Sequence, residues 1–512
     1  MTSSQLLILL TIIVYLGITI VIGIIFNHRG GASSASEFYI GGRGLGPIVT
    51  AMSAEASDMS SYLLMGLPGL AYLAGLAEVT WTAVGLAVGT YLNFLFVARY
   101  LRRYSARLGA ITIPEYFSRR YGDDRQVLSM IAALIILIFF VPYTASGFKA
   151  VGTLFNSLLG INYHAAMIAG AVVIVLYTAL GGFKAVSTTD LIQSVIMSAA
   201  LVIIIFYGIH IAGGFDVVAA NARELPGYLN IFEGHDAASG TAGSFGALPV
   251  VSTLAWGLGY FGMPHILLRF MAVKDEAMLK TSRRIASVWA AVSMAVAILI
   301  GVIGLAISRS GVLPFLGTSS ESETIIIQMA NLMSRSNAFM AVIAGIILAG
   351  ILAATMSTAD SQLLAASSSM SQDLLQGFFG IKLDHRKTML AARGTVILIA
   401  VIGVILAWNP ESSVFRVVSF AWAGFGATFG PTMLLSLFWK RSNRQGALAG
   451  MVAGGITVFV WKFLIAPLGG VFSIYELLPA FIVCLAVNVI VTLLTPAPDS
   501  AVEKLFDEVH TR

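Results

Sequence analysis

Glu55 and Asp58 stand one helical turn apart inside an apolar stretch, Ala51–Gly69, that reads AMSAEASDMSSYLLMGLPG and is dense in serines. A second polar run, ILAATMSTADSQLLAASSSMSQD, carries Ser357, Thr358 and Ser361 within about a turn, so they share part of one helix face. Hydroxyls in membrane helices often only bond back to the carbonyl four residues earlier. A sodium ion, however, needs several hard oxygen ligands, and hydroxyls beside carbonyls freed by an unwound helix supply them. The first run offers such carbonyls and the second offers hydroxyls. A third run, AWGLGYFGMPHIL (Ala255–Leu267), is loosened by Gly257, Gly259, Gly262 and Pro264, and Pro264 also removes a backbone donor. The chemistry on offer is ion and small-solute binding. No HExxH, G-x-S-x-G or paired-histidine motif is present, and GGRGLG has no following Lys-Ser or Lys-Thr, which argues against an enzyme and against ATP-driven transport.

These residues must be held in a membrane. The chain has 512 residues, 58% hydrophobic and 11% charged, against about 25% charged in a soluble domain. The net charge of +5 does not indicate nucleic acid, because the basic residues cluster in short loops between apolar spans. The single cysteine, Cys484, excludes an internal disulfide and reads as a buried small hydrophobe. Apolar runs long enough to cross a bilayer are expected at 4–26, 45–72, 76–98, 127–152, 163–182, 188–212, 248–271, 285–308, 338–365, 388–408, 413–438, 446–466 and 475–495. The first, Ser4–Phe26, lacks a nearby small-residue cleavage site and reads as a retained helix. The polar gap from Gly213 to Gly246 reads as an external loop with a short surface helix.

Alternate loops hold the basic residues: Arg29 and Arg43; Arg99 to Arg125; Lys184; Lys274 to Arg284; Lys382 to Lys387; and Lys440 to Arg444. The positive-inside rule places these loops in the cytoplasm, with the N-terminus outside and the C-terminus inside. The second and seventh spans are the broken ones. Five spans separate them, so they run in opposite directions, the pattern of an inverted repeat with discontinuous first helices and a midplane site. An ion channel usually needs a continuous pore lined by rings from repeated subunits, and this pattern favours alternating access instead.

The segments GGRGLGPIVTAMSAEASDMSSYLLMGLPG, GGFKAVSTTDLIQS, WGLGYFGMPHILLRFMA, STADSQLL and SFAWAGFGATFGP resemble, in order and over nearly the whole chain, the sodium/solute symporter family. The likeness is nearest to its bacterial proline-carrying branch. It implies an all-α membrane protein of about thirteen spans with a five-plus-five inverted repeat and a LeuT-like core. Residues 1–512 then form one transporter domain, with repeats at 45–212 and 248–438 and peripheral helices at 4–26 and 446–495. It implies a sodium ion held by the carbonyls of Ala56, Met59 and Ala354 and the hydroxyls of Ser357 and Thr358. Asp58 and Asp190 match acids needed for sodium coupling, and Asp190, at the start of the sixth span, is placed to receive the departing ion. Substrate falls to Tyr143, Trp256, Tyr260, Pro264 and Ser57. Proline fits them: its ring packs on aromatic faces, and its carboxylate meets the positive ends of half-helices.

The implied function is sodium-coupled uptake of L-proline across a bacterial cell membrane, with no cofactor. A sodium- or proton-coupled carrier of another small zwitterion stays open. Ser61, Tyr62 and Met263 depart from the family pattern near the breaks, and Glu55 and Lys149 are additional charges. Lys149, near the outer end of the fourth span, reads as a snorkelling side chain. Glu55, with Asp190 and Asp360, reads as part of an acidic inner vestibule, as a proton-binding group, or as a protonated, hydrogen-bonded carboxyl.

Overall fold

In hydrocarbon a chain must satisfy its own backbone hydrogen bonds, so its apolar runs fold as helices. The computed structural model, which describes residues 2–29, 35–237, 239–382 and 384–511, is built that way. α1 (Ser3–Arg29) is followed by the short α2 (Ala35–Ile40). The second span is split into α3 (Pro47–Ser61) and α4 (Leu67–Ala74) by a π-turn, Tyr62–Gly66. α5 (Leu76–Leu92) continues through another π-turn, Asn93–Val97, into α6 (Ala98–Leu108). α7 (Ile113–Arg120) and α8 (Val127–Leu159) follow. α9 (Tyr163–Ile211) holds two spans divided at Gly182, whose φ of 61° takes the left-handed region that glycine tolerates.

The expected external loop, described except for residue 238, is more ordered than its Gly, Ala and Ser content suggests. It contains α10 (Phe215–Arg223) and an antiparallel hairpin of β1 (Glu233–Asp236) and β2 (Thr241–Ser244). The hairpin region is pinned to the second and third spans: Leu76 N–H donates to Tyr228 O at 2.8 Å, and Trp81 Nε1 to Ile231 O at 2.8 Å.

The seventh span is α11 (Ala247–Leu254), a 3₁₀ stretch (Ala255–Gly262) and α12 (Pro264–Ala272). After it come α13 (Leu279–Arg309), the short α14 (Ser319–Ser322) and α15 (Ile325–Ser334), α16 (Ala338–Ser368), α17 (His385–Leu406), α18 (Val414–Phe438), α19 (Arg444–Val460), α20 (Leu477–Leu494) and α21 (Ser500–His510). Among the described residues ten helices are long and apolar enough to cross a membrane. This is a multi-pass membrane protein. The expected spans at 45–72, 163–182 and 248–271 are helical but interrupted or short, so the count of thirteen turns on those three.

The two broken segments run in opposite directions. Leu45, just before α3, pairs with the chain just after α12: its N–H donates to Ala272 O at 3.1 Å, and Lys274 N–H donates to Leu45 O at 2.9 Å. Arg43 reinforces the joint with a 2.7 Å bond to Met271 O. In their most apolar stretches α18 is 83% buried and α13 and α16 are each 72% buried, against 22% for α1 and for α19, so the interior is built around the broken segments, α13, α16 and α18. One contact there is backbone on backbone. A Cβ on Gly85 would lie 2.6 Å from Leu254 O, one on Gly89 2.4 Å from Gly257 O, and one on Gly257 2.2 Å from Gly85 O. Small residues four apart allow membrane helices this approach.

Candidate functional site

The break in the second span sits at Ser60, which adopts φ 47° and ψ −166°, a conformation costly for any residue with a side chain. The helix ladder cannot continue through it, and nearby carbonyls are satisfied from other helices. Ala56 O accepts from Ser357 Oγ of α16 at 2.7 Å. Asp58 O accepts from the Tyr143 hydroxyl of α8 at 3.2 Å. Met59 O is taken locally by the Tyr62 N–H. Ser57 bonds back to Ala54 O at 3.0 Å, and Ser61 Oγ is buried with no partner among the described residues.

Facing the break, Ser357 Oγ and Thr358 Oγ1 also lie 3.1 and 3.2 Å from Ala354 O. The back-bonding expected of membrane hydroxyls is therefore present. Ser357, however, has one proton and two carbonyls within reach, so a carbonyl lone pair always stays turned into the cluster. Four neutral oxygens, from Ala56, Ala354, Ser357 and Thr358, are thereby linked through successive contacts of 2.7, 3.1 and 3.2 Å. Met59, the fifth expected ligand, is held one residue before the break. A void beside the cluster, bounded by Ser60, Ser61, Tyr143 and Thr358, measures about 10 Å³, room for about one water.

The expected solute residues divide into two groups. Tyr143 and Tyr260 converge on Asp58: the Tyr260 hydroxyl donates to Asp58 Oδ2 at 2.5 Å, while Asp58 Oδ1 and the neighbouring Glu55 Oε2 are buried without partners among the described residues. Trp256 lies in an aromatic stack instead. Its ring centroid is 5.8 Å from Tyr62, 5.2 Å from Tyr475 and 5.4 Å from Phe415. A solute ring packing on Trp256 must displace one of these neighbours. Pro264 opens α12, where its missing donor costs nothing. Met263, before it, is extended and fully buried.

Asp190 lies beyond the start of its span, two turns past Gly182, and is fully buried. It is paired: Arg269 Nη2 donates to Asp190 Oδ2 at 3.1 Å, and Ser53 Oγ donates to the same oxygen at 2.6 Å. Arg269 further donates to Ser361 Oγ at 2.5 Å, Ser53 Oγ at 3.0 Å and His265 O at 2.8 Å. Asp360 Oδ1 accepts from Ser361 at 3.3 Å. The expected acidic vestibule is thus a network centred on an arginine, which sequence reasoning missed. The signal was there: PHILLRFMA places a charge inside an apolar span, just past a helix break.

Lys149 does not snorkel to solvent. Its side chain is buried, and Nζ donates to Ser320 Oγ at 3.3 Å and Pro410 O at 3.1 Å on the face opposite the basic loops.

Broken helices that cross in opposite directions, with hydroxyls aimed at the break, are transporter architecture. The sequence model of the sodium:solute symporter family matches residues 38–454. The chain belongs to that family. It is 39% identical over 506 residues to a sodium/proline symporter of Staphylococcus aureus (strain USA300 / TCH1516), covering 98% of this chain and 95% of that one. It is 41% identical over 478 residues to the high-affinity proline transporter PutP of Bacillus subtilis (strain 168), covering 93% and 96%. Among solved structures it is similar to a sodium-coupled sialic acid symporter in a substrate-bound outward-open state, with a TM-score of 0.77 at 17% identity over 96% of this chain and 99% of that one. It is also similar to MhsT in complex with L-phenylalanine, with a TM-score of 0.51 at 14% identity over 86% and 98%. The fold is therefore the discontinuous-helix, LeuT-like one. This member of the sodium:solute symporter family is a transporter, not an enzyme.

Proposed function

We propose that this symporter carries L-proline into the cell together with sodium by alternating access. The observation that carries the reading is 39–41% identity, over 93–98% of the chain, to proteins named for proline transport. The contacts that link Ala56 O, Ala354 O, Ser357 Oγ and Thr358 Oγ1 support it. We assign these atoms, with the Met59 carbonyl, to the sodium ion. Asp58 tunes the site through Tyr260 and through its own carbonyl. Tyr143, Tyr260, Trp256, Pro264 and Ser57 form the proline site, and the Asp190–Arg269 network lies on the inner exit route. The repeats span 45–212 and 248–438, with the helices at 4–26 and 446–495 peripheral. The N-terminus lies outside and the C-terminus in the cytoplasm, which puts Lys149 at the outer face. Each net positive charge carried inward gains about 2.3 kcal/mol per 100 mV of inside-negative potential.

The alternative, another small zwitterion, is not favoured, since the relatives at 39–41% identity are named for proline. Proteoliposome uptake of labelled proline under sodium, lithium or proton gradients, with unlabelled competitors, tests both. Saturable sodium-driven uptake with cyclic secondary amines competing ahead of alanine and glycine is expected. Glutamine competing better than proline would overturn the proline assignment and leave sodium symport standing.

A further inference from the structure

An apolar groove of about 320 Å³ lies on the flank of the molecule, between α1, the last turns of α8, the first turns of α9 and the middle of α16. Leu9 and Leu16 of α1, Val151 and Phe155 of α8 and Val173 of α9 form its sides. Leu352 and Met356 of α16 close its back, and they are only 3% and 2% exposed. Every described residue that lines it is apolar. Met356 directly precedes Ser357, whose hydroxyl donates to Ala56 O. The groove therefore backs onto the turn of α16 that carries the neutral oxygens.

What fills it follows from its walls and its place in the bilayer. Water finds no hydrogen-bond partner on such walls. A neighbouring helix is too thick, since one turn, about 10 Å across and 5.4 Å long, takes roughly 400 Å³. A non-helical peptide would leave its backbone groups unpaired. A hydrocarbon chain meets none of these obstacles, and it is the solvent that surrounds these spans. The headgroup level is marked as well. At the mouth His164, beside the lining residue Ala165, lies 4.3 Å from the ring of Trp408, which is half exposed. Tryptophan gathers at the membrane–water interface.

We propose that this groove is a binding site for one acyl chain of a membrane lipid, which enters beneath Trp408 and braces α16 behind Ser357. The chain passes from one apolar medium to another, so no hydrophobic gain holds it there. The hold comes from van der Waals contact on every side of the groove, which disordered neighbouring lipid does not supply. The effect on sodium rests on the proposed sodium site; the binding of the chain does not.

The test uses the full chain in vesicles of dioleoyl phosphatidylethanolamine and phosphatidylglycerol, with a tracer phosphatidylcholine that carries a diazirine on one acyl chain. Photolysis and peptide mapping are expected to mark Leu352 or Met356 as well as the surface residue Leu176, which is 61% exposed. Lipid that only runs over the surface reaches Leu176 and not the back of the groove. Ala169→Phe and Ala165→Phe each put a ring into the groove from an exposed position on α9. Both should remove the adducts at Leu352 and Met356 and keep the one at Leu176. Adducts at Leu176 alone, or adducts at Met356 that persist in both variants, overturn the site. Diphytanoyl vesicles, whose methyl-branched chains are too bulky for the groove, test the brace. Between dioleoyl and diphytanoyl vesicles the sodium concentration for half-maximal proline uptake should rise severalfold for the parent. It should stay level for Ala169→Phe, whose own ring fills the groove. An equal rise in both, or no rise in the parent, overturns the brace. Photolysis requires no uptake, so a chain that is marked at Met356 but does not follow sodium loses the sodium reading and keeps the lipid site.

Discussion

Two polar clusters lie a turn apart along the same pair of helices, α3 and α16, and they differ in kind. At the break, Ala56, Ala354, Ser357 and Thr358 present four neutral oxygens. One turn toward the basic loops, Ser53 and Ser361 from those same helices hold an ion pair, Arg269 with Asp190, whose side chains are 1% and 0% exposed. Neutral oxygens give a cation ligands without fixing it there by opposite charge, so an ion can come and go. The inner cluster already contains its cation, covalently attached to α12. It joins four elements, α3, α9, α12 and α16, with bonds that are costly to leave half made. The first arrangement suits exchange and the second suits holding.

The largest expected effect breaks the second arrangement. Arg269→Gln leaves Asp190 and Asp360 buried and uncompensated, which costs about 3–5 kcal/mol when one partner of a buried pair is removed. Thermal unfolding in detergent should fall steeply and uptake should vanish, with Asp190→Asn in the same chain restoring part of the stability. A single mutant as stable as the parent would erase the distinction between the clusters. Ser357→Ala with Thr358→Ala should do the reverse. The sodium concentration for half-maximal uptake should rise on the order of tenfold or more, while stability changes by about 1 kcal/mol; unchanged sodium dependence removes the ion from this cluster. Trp256→Ala should cost roughly 1–3 kcal/mol in proline affinity, read by equilibrium binding, with sodium affinity suffering only through linkage. The smallest effect sharpens the boundary between ion and solute. Tyr143→Phe removes one neutral hydrogen bond, to Asp58 O, worth about 0.5–1.5 kcal/mol. Whether proline or sodium affinity bears that loss tells which ligand the carbonyl serves.

The neutral cluster was legible in the sequence because hydroxyls and glycines are conspicuous in apolar runs and their spacing fixes a shared face. Its partnering was not, since nothing in SDMSS says that Ser60 takes positive φ or that Ala56 O meets Ser357. The ionic cluster was half legible. Asp190 and Asp360 stood out, yet Arg269 sits close to the basic residues after α12. Its place inside PHILLRFMA marks it as a charge within an apolar span, but its partners, Asp190, Ser53 and Ser361, show only in three dimensions. Lys149 failed for a related reason: nearness to a helix end predicts snorkelling only where no loop folds over that end, and the chains around Ser320 and Pro410 do. The hairpin of EGHD and TAGS has almost none of the β-branched or aromatic residues that mark strands. Likewise α14 is a single capped turn, and α15 (IIIQMANLMS) is apolar but, at 10 residues, too short to read as a span.

The glycine joint between α5 and the seventh span has a mechanical consequence. Gly85, Gly89 and Gly257 bring two backbones together with no side chains between them, and Asn93 Nδ2 adds a 2.9 Å bond to Tyr260 O. Such a joint has no compliant layer. A displacement of Trp256 or Tyr260 passes into α5 without slack, and α5 continues through Asn93–Val97 into α6, whose Arg102 donates to the carbonyls of Val273 and Lys274 just past α12. The segment and its neighbour form a closed lever, fastened at its middle and at one end. Whatever moves the aromatic stack turns the whole lever, and alanine at Gly89 would jam its pivot.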